Sequence, residues 1–276
     1  MIPDNRKSKL ILILVVVLAI AIIFLGYAIS VANNGSSEGN GDGIGGGFSD
    51  ITTNSEVQID YSLPSEPTAE AKIDVSNVNS QLLGKNDLGS AELIGPFGNV
   101  NSNHKIAYSI GMHPWESKVH KALFDTMVSK NSSLNYCYYI YKINVSNYNT
   151  DDEGRMDGQL LAQEFVAPHI ISNDYDLFID VHSNKGTVGG SYEETNFVFA
   201  VGKDEKSEVF VNKILNAVPE LVYYFPSAQS SPPYITLPTE QAGIPTVNYE
   251  TYSYESPERT YDLAGKFVDA VDNLEF

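Results

Sequence analysis

The residues best suited to chemistry in this chain are a small set of histidines and glutamates placed where apolar runs end. Of the five histidines, His113 follows "KIAYSIGM" directly, and Glu116 stands three places beyond it in "HPWE". An imidazole and a carboxylate are both competent ligands for zinc. Spacing alone is a weak signal, since a helix that begins with a proline and carries ordinary polar residues would read the same way. Placement adds weight: Pro114 suits a first helical position, which puts His113 at the N-cap and Glu116 in the first turn. His182 follows a second apolar run, "DLFIDV", and is the candidate third ligand, against the plainer alternative of a satisfied loop histidine. His120 shares a helix face with His113 and Glu116. Seven residues at a rise of 1.5 Å put it about 10 Å from His113 along the axis, so a structural role or a partnership with a surface acid is expected. His104 precedes a strand, and His169 lies near a helix end with no ligand candidate beside it.

Two histidines and one glutamate would leave a coordination position open for water. Hydrolysis then needs a carboxylate to take a proton and a cation for the developing oxyanion. Glu250 ends the apolar stretch "IPTVNY" and is the candidate base, whereas Glu255 and Glu258 fit the start of a helix. The chain has only three arginines, Arg6, Arg155 and Arg259. Arg155, in "NTDDEGRMDGQ", reads as a loop residue just before a helix. It is either the cation of the site or a surface partner for Asp151, Asp152 and Glu153.

These residues depend on elements that alternate in type. "KIAYSI", "NYCYYIYKINV", "YDLFIDV", "NFVFAV", "LVYYF" and the run ending at Glu250 read as strands. "HPWESKVHKALFDTMV" reads as a helix with Trp115, Val119, Ala122, Leu123 and Met127 on one apolar stripe. "MDGQLLAQEFV", "EKSEVFVNKILNAV" and "SPERTYDLAGKFVDAVDNL" read as further helices, the last capped by Ser256 and begun by Pro257. This alternation predicts an α/β fold, a mostly parallel or mixed sheet with helices on both faces. Sites in such folds gather at the carboxyl ends of strands. Cys137 lies in an apolar, aromatic run and reads as a buried strand thiol.

The N-terminal third is different in texture. Residues 1–9 are polar and basic, and residues 10–32 contain no charged side chain. A run of about 20 such residues spans a bilayer core, and the preceding basic residues place the N-terminus in the cytoplasm. A cleaved signal peptide is the alternative, although its apolar region is usually about 7–15 residues. Residues 33–90 read as a Gly/Ser-rich linker and stalk, and residues 91–276 as the folded domain. The formal net charge of −18 argues against nucleic-acid binding, which needs a basic face.

Taken in order, "GMHPWE", "GRMDGQ", "DLFIDVHSNKG" and "AGIPTVNYET" resemble the zinc carboxypeptidase superfamily in its wide sense, including the succinylglutamate desuccinylase and aspartoacylase branch. The resemblance covers about Ala91 to Phe276. It implies one zinc ion per chain held by His113, Glu116 and His182, Glu250 as general base, and Arg155 as the carbonyl or oxyanion cation. Peptidases of this family usually carry an Asn-Arg pair that grips the substrate's terminal carboxylate, and "EGRMDGQ" has none. Lys185 could supply that grip or simply face solvent, and Tyr234 could act as a mobile aromatic acid. Asp180 could orient a ligand from behind. The expected activity is hydrolysis of an amide bond in a peptide or acyl-amino acid, cell-wall peptides included, by a membrane-anchored domain outside the cytoplasm. A non-catalytic, anchored binding or adhesion module on the same fold is the alternative.

Overall fold

The computed structural model describes residues 73–202 and 204–276. The expected membrane span at 10–32, the basic N-terminus and most of the linker lie outside the described residues. Among the described residues no helix is long and apolar enough to cross a membrane.

Eight strands form one sheet: β1 (Ser80–Asn86), β2 (Gly89–Gly98), β3 (Lys105–Ile110), β4 (Cys137–Val145), β5 (Leu177–Asn184), β6 (Phe197–Ala200), β7 (Val222–Tyr223) and β8 (Thr246–Tyr252). Their order across the sheet is β1-β2-β4-β3-β5-β8-β6-β7. The middle, β4-β3-β5-β8, is parallel. Antiparallel pairings add β1 and β2 on one side and β6 on the other. The sheet is therefore mixed, with a parallel centre that holds the longest apolar runs.

The helices are α1 (Ser117–Lys130), α2 (Asp151–Leu161), α3 (Ala167–Ile171), the single turn α4 (Gly186–Gly189), α5 (Glu205–Ala217), α6 (Thr236–Gln241) and α7 (Pro257–Asp272). They cover both faces, and the period of two in the strands divides the core between them. Ile106, Tyr108 and Ile110 of β3 pack with Val119 and Leu123 of α1, Val211 of α5 and Phe267 of α7. Ala107, which points the other way, packs with Leu161, Val166 and Ile170 beside α2 and α3.

The fold departs from the sequence reading at four places. Residues 80–90, expected within the stalk, form β1 and the start of β2, and Ile73, Val75 and Val78 pack against the core. β1 is an edge strand with one solvated side, so its apolar content is too low to stand out. "LVYYF" yields only the two-residue strand β7. β5 runs two residues past His182, which lies inside the strand and not after it. α2 begins before "MDGQ", because the Thr150 hydroxyl caps it by accepting from the Glu153 amide at 3.3 Å. Arg155 is consequently a helical residue rather than a loop residue.

Candidate metal centre

Two parallel strands deliver the histidines to one edge of the sheet. After β3 the chain turns at Gly111, whose φ of +84° favours glycine. A side-chain carbon there would lie 2.2 Å from the Ile143 carbonyl oxygen, so the turn must pass close to β4. His113 is extended and precedes a 3-10 turn, Pro114–Glu116, in which the Glu116 amide donates to the His113 carbonyl at 3.0 Å. This turn swings the Glu116 carboxylate back toward the His113 ring.

Glu116 stands between the two histidines. Its Oε1 is 2.9 Å from His113 Nδ1, its Oε2 is 3.0 Å from His182 Nδ1, and Oε2 also accepts from the Ser183 amide at 3.0 Å. One ligating atom from each of His113, Glu116 and His182 lies within 4.8 Å of the others. The three residues are only 2%, 4% and 2% exposed. Behind His182, the Asp180 carboxylate contacts Nε2 at 2.9 Å and accepts a hydrogen bond from the Ser109 hydroxyl. Asp180 and Ser109 are register partners across β5 and β3, so the support is part of the sheet.

The protonation pattern follows from burial and neighbours. Burial pushes the His113 imidazole down to about 4, so the ring is neutral. Burial disfavours the charged forms of Glu116 and His182 too, but here their partners prevail. His113 and His182 hold Glu116 well below the usual carboxylate range, and Asp180 and Glu116 hold His182 well above the usual imidazole range. A divalent cation would displace the proton that His182 holds toward Glu116, and the buried carboxylate between two imidazoles is then a suitable donor set for it.

Arg155 projects from α2 onto this cluster, with Nη1 2.9 Å from His113 Nδ1 and Nη2 donating to Glu116 Oε1 at 3.1 Å. Glu250 of β8 is the register partner of His182. The Asn184 side chain donates to its Oε2 at 3.2 Å, and burial pushes its carboxyl up to about 8. These groups face a cleft of about 410 Å³ whose lining includes Trp115, Arg155, Lys185, Tyr192, Glu250 and Ser253.

Other residues fall elsewhere. Trp115, expected on the core stripe of the first helix, is half-buried and lines the cleft. It belongs to the 3-10 turn, whose three residues per turn rotate it off the α1 face. Tyr234 lies outside the cleft lining, with its hydroxyl 3.7 Å from Met156 Sδ. His120 is buried behind the site, His169 bonds Tyr141 at 2.8 Å, and His104 lies 3.5 Å from Asp176. Two neighbours were not singled out in the sequence. Gln159 is one helical turn beyond Arg155 and reaches His113, while Asn184 is two residues beyond His182 on the same strand face. The i+2 spacing on a strand was available as a signal for Asn184, whereas the i+4 spacing of Gln159 was hidden because Arg155 reads as a loop residue in the sequence.

No protein-family profile matches the chain, and no curated protein matches it in sequence. Solved structures do match. A candidate carboxypeptidase from Burkholderia mallei is 14% identical and aligns over 71% of this chain and 63% of its own, with a TM-score of 0.50. A candidate carboxypeptidase A from Shewanella denitrificans is 14% identical over 71% of this chain and 64% of its own, also at 0.50. This chain spans less than two thirds of either protein. The likeness shows a carboxypeptidase-like fold.

Proposed function

We propose that the domain is a metal-dependent hydrolase, with zinc as its ion, that cleaves an amide bond in a peptide or acyl-amino acid. The observation that carries this reading is the convergence of His113, Glu116 and His182 at the wall of a cleft that Glu116 and Glu250 both line. The donor set fits the ion in kind. Ligands of a tetrahedral zinc at about 2.0–2.1 Å stand about 3.4 Å apart. One ligating atom from each residue lies within 4.8 Å of the others, with the two shortest contacts, 2.9 and 3.0 Å, on different oxygens of Glu116, so the set would rearrange modestly to close on one ion.

When bound, zinc supplies Lewis acidity toward an amide carbonyl and acidifies a water. The chain's own residues supply the rest. Glu250 would accept the water's proton as a carboxylate, a form that a bound cation would favour against the burial that otherwise pushes it up to about 8, and would pass that proton to the leaving amine. Asn184 fixes its Oε2 oxygen. Arg155 brings the cation for charge developing on the carbonyl oxygen. Lys185, on the cleft wall, suits a carboxylate of the substrate. Tyr234, expected as a mobile aromatic acid, stands outside the lining.

The uncharged run at 10–32 supports an uncleaved anchor, with the catalytic domain held outside the cytoplasm near envelope peptides. The test is metal analysis of the purified chain, followed by hydrolysis of a peptide and acyl-amino-acid panel by wild type and Glu250→Gln. Zinc retained with hydrolysis abolished in the variant is the expected result. Absence of copurifying or titratable zinc refutes the enzyme reading. Zinc binding in wild type without hydrolysis of any substrate favours a binding module.

A further inference from the structure

We propose that Gln159 is a positioning residue that fixes the distal nitrogen of His113 and ties that ligand to the cleft wall through Ser230. The inference rests on the reading of His113 as a metal ligand. Gln159 is 1% exposed, one turn beyond Arg155 on α2. Its amide nitrogen lies 3.3 Å from His113 Nε2 and 2.9 Å from Ser230 Oγ, and its Oε1 is buried with no partner among the described residues. A buried amide is costly unless its groups are paired, so its place against an imidazole and a hydroxyl calls for a reason.

The ring of His113 provides one. Its Nδ1 faces Glu116, so an imidazole that ligates through Nδ1 keeps its hydrogen on Nε2 and needs an acceptor there. A half-turn of the Gln159 amide presents its carbonyl oxygen to both the His113 N–H and the Ser230 O–H. His182 is backed differently, by the Asp180 carboxylate inside the sheet. The two histidines therefore have unequal support: an anionic acceptor on a rigid strand for one, a neutral amide on a helix for the other. Ser230 belongs to the cleft lining, so the neutral support also links His113 to the wall that a substrate meets.

The test is zinc affinity by chelator competition, together with the visible spectrum of the cobalt-substituted protein, for wild type, Gln159→Leu, Gln159→Glu and Ser230→Ala. Gln159→Leu is expected to weaken zinc binding about 10–100-fold, the usual effect of removing such a partner, and to shift the cobalt bands. Gln159→Glu, which restores an acceptor, is expected to recover most of that loss, and Ser230→Ala to lose several-fold. Wild-type affinity and spectrum in Gln159→Leu, with only a lower Tm, overturn the proposal and leave the metal reading intact. Should Gln159→Leu not fold, Ser230→Ala decides alone: a several-fold loss of zinc affinity supports the proposal, and wild-type affinity with a wild-type spectrum overturns it. Wild-type protein that takes up no zinc or cobalt overturns the metal reading and this proposal with it.

Discussion

His120 donates from Nε2 to the main-chain carbonyl of Val181 at 3.0 Å, and Val181 is the residue just before His182. Its Nδ1 accepts from the Gly111 amide at 3.2 Å, two residues before His113. One buried imidazole thus cross-links the two segments that deliver the candidate ligands, and only its neutral form makes both bonds.

This cross-link makes stability depend on pH in a defined direction. Burial pushes His120 down to about 4 from an ordinary 6.5. Between those values the unfolded chain binds a proton that the folded chain refuses. The contribution is therefore complete above about pH 6.5 and lost as pH falls toward 4, to a total of about 3 kcal/mol. Urea unfolding of wild type and His120→Phe at pH 7.5 and 4.5 checks it. The variant is expected to be less stable at pH 7.5, because Gly111 loses its acceptor, and to lose less than wild type on acidification. Equal losses in both proteins would remove His120 as the cause.

Asp180 presents a second dependence. It holds His182 Nε2 at 2.9 Å and is fixed in turn by Ser109. Replacing its carboxylate with an amide removes the anion that makes His182 a stronger donor, while leaving the volume unchanged. Asp180→Asn is expected to weaken zinc binding about 10–100-fold, and Ser109→Ala, which only loosens the carboxylate, to weaken it less. Equilibrium dialysis against zinc buffers measures both. Wild-type affinity in Asp180→Asn would refute the orienting role.

Much of the site was legible because His113, His182 and Glu250 stand where a run of apolar residues meets a polar one. They lie just after β3 and near the ends of β5 and β8, which are neighbours in the sheet, with Glu116 three residues beyond His113. What was not legible depends on contacts between distant segments. Arg155 belongs to a helix whose start is set by the Thr150 cap, and Trp115 to a tight turn that rotates it into the cleft. β1 is stabilised by pairing with β2 along an edge, which leaves no apolar periodicity to read.

At the opposite end of the sheet, Asp272 ties the end of α7 to the start of β4. Its carboxylate accepts from the Asn135 amide at 2.9 Å, the Asn135 side chain at 3.0 Å and the Tyr138 hydroxyl at 2.7 Å. Asp272→Ala strands the buried Tyr138 hydroxyl and frees the exposed Asn135, at a cost of about 2 kcal/mol. The expected outcome is a Tm lowered by several degrees with zinc affinity unchanged, because β4 starts at the end of the sheet remote from the metal centre. Calorimetry beside metal titration separates the two effects, and a fall in zinc affinity of the folded variant would show that the ends are coupled.

Gly158 offers a test whose sign is informative. In the interior of a helix, glycine to alanine normally stabilises by about 1 kcal/mol. Here the added carbon would lie 1.7 Å from the Met112 carbonyl oxygen, far inside contact distance. Met112 is the residue before His113, and Gly158 lies between Arg155 and Gln159 on α2. The only relief is to move α2 away from that carbonyl, which draws both side chains off the His113 ring they now touch. Gly158→Ala is accordingly expected to destabilise the domain by about 2 kcal/mol or more, to weaken zinc binding, and to lower kcat/KM at least 100-fold. A stabilised variant with full activity would mean that α2 is not seated on Met112, and that Arg155 reaches the site by another route.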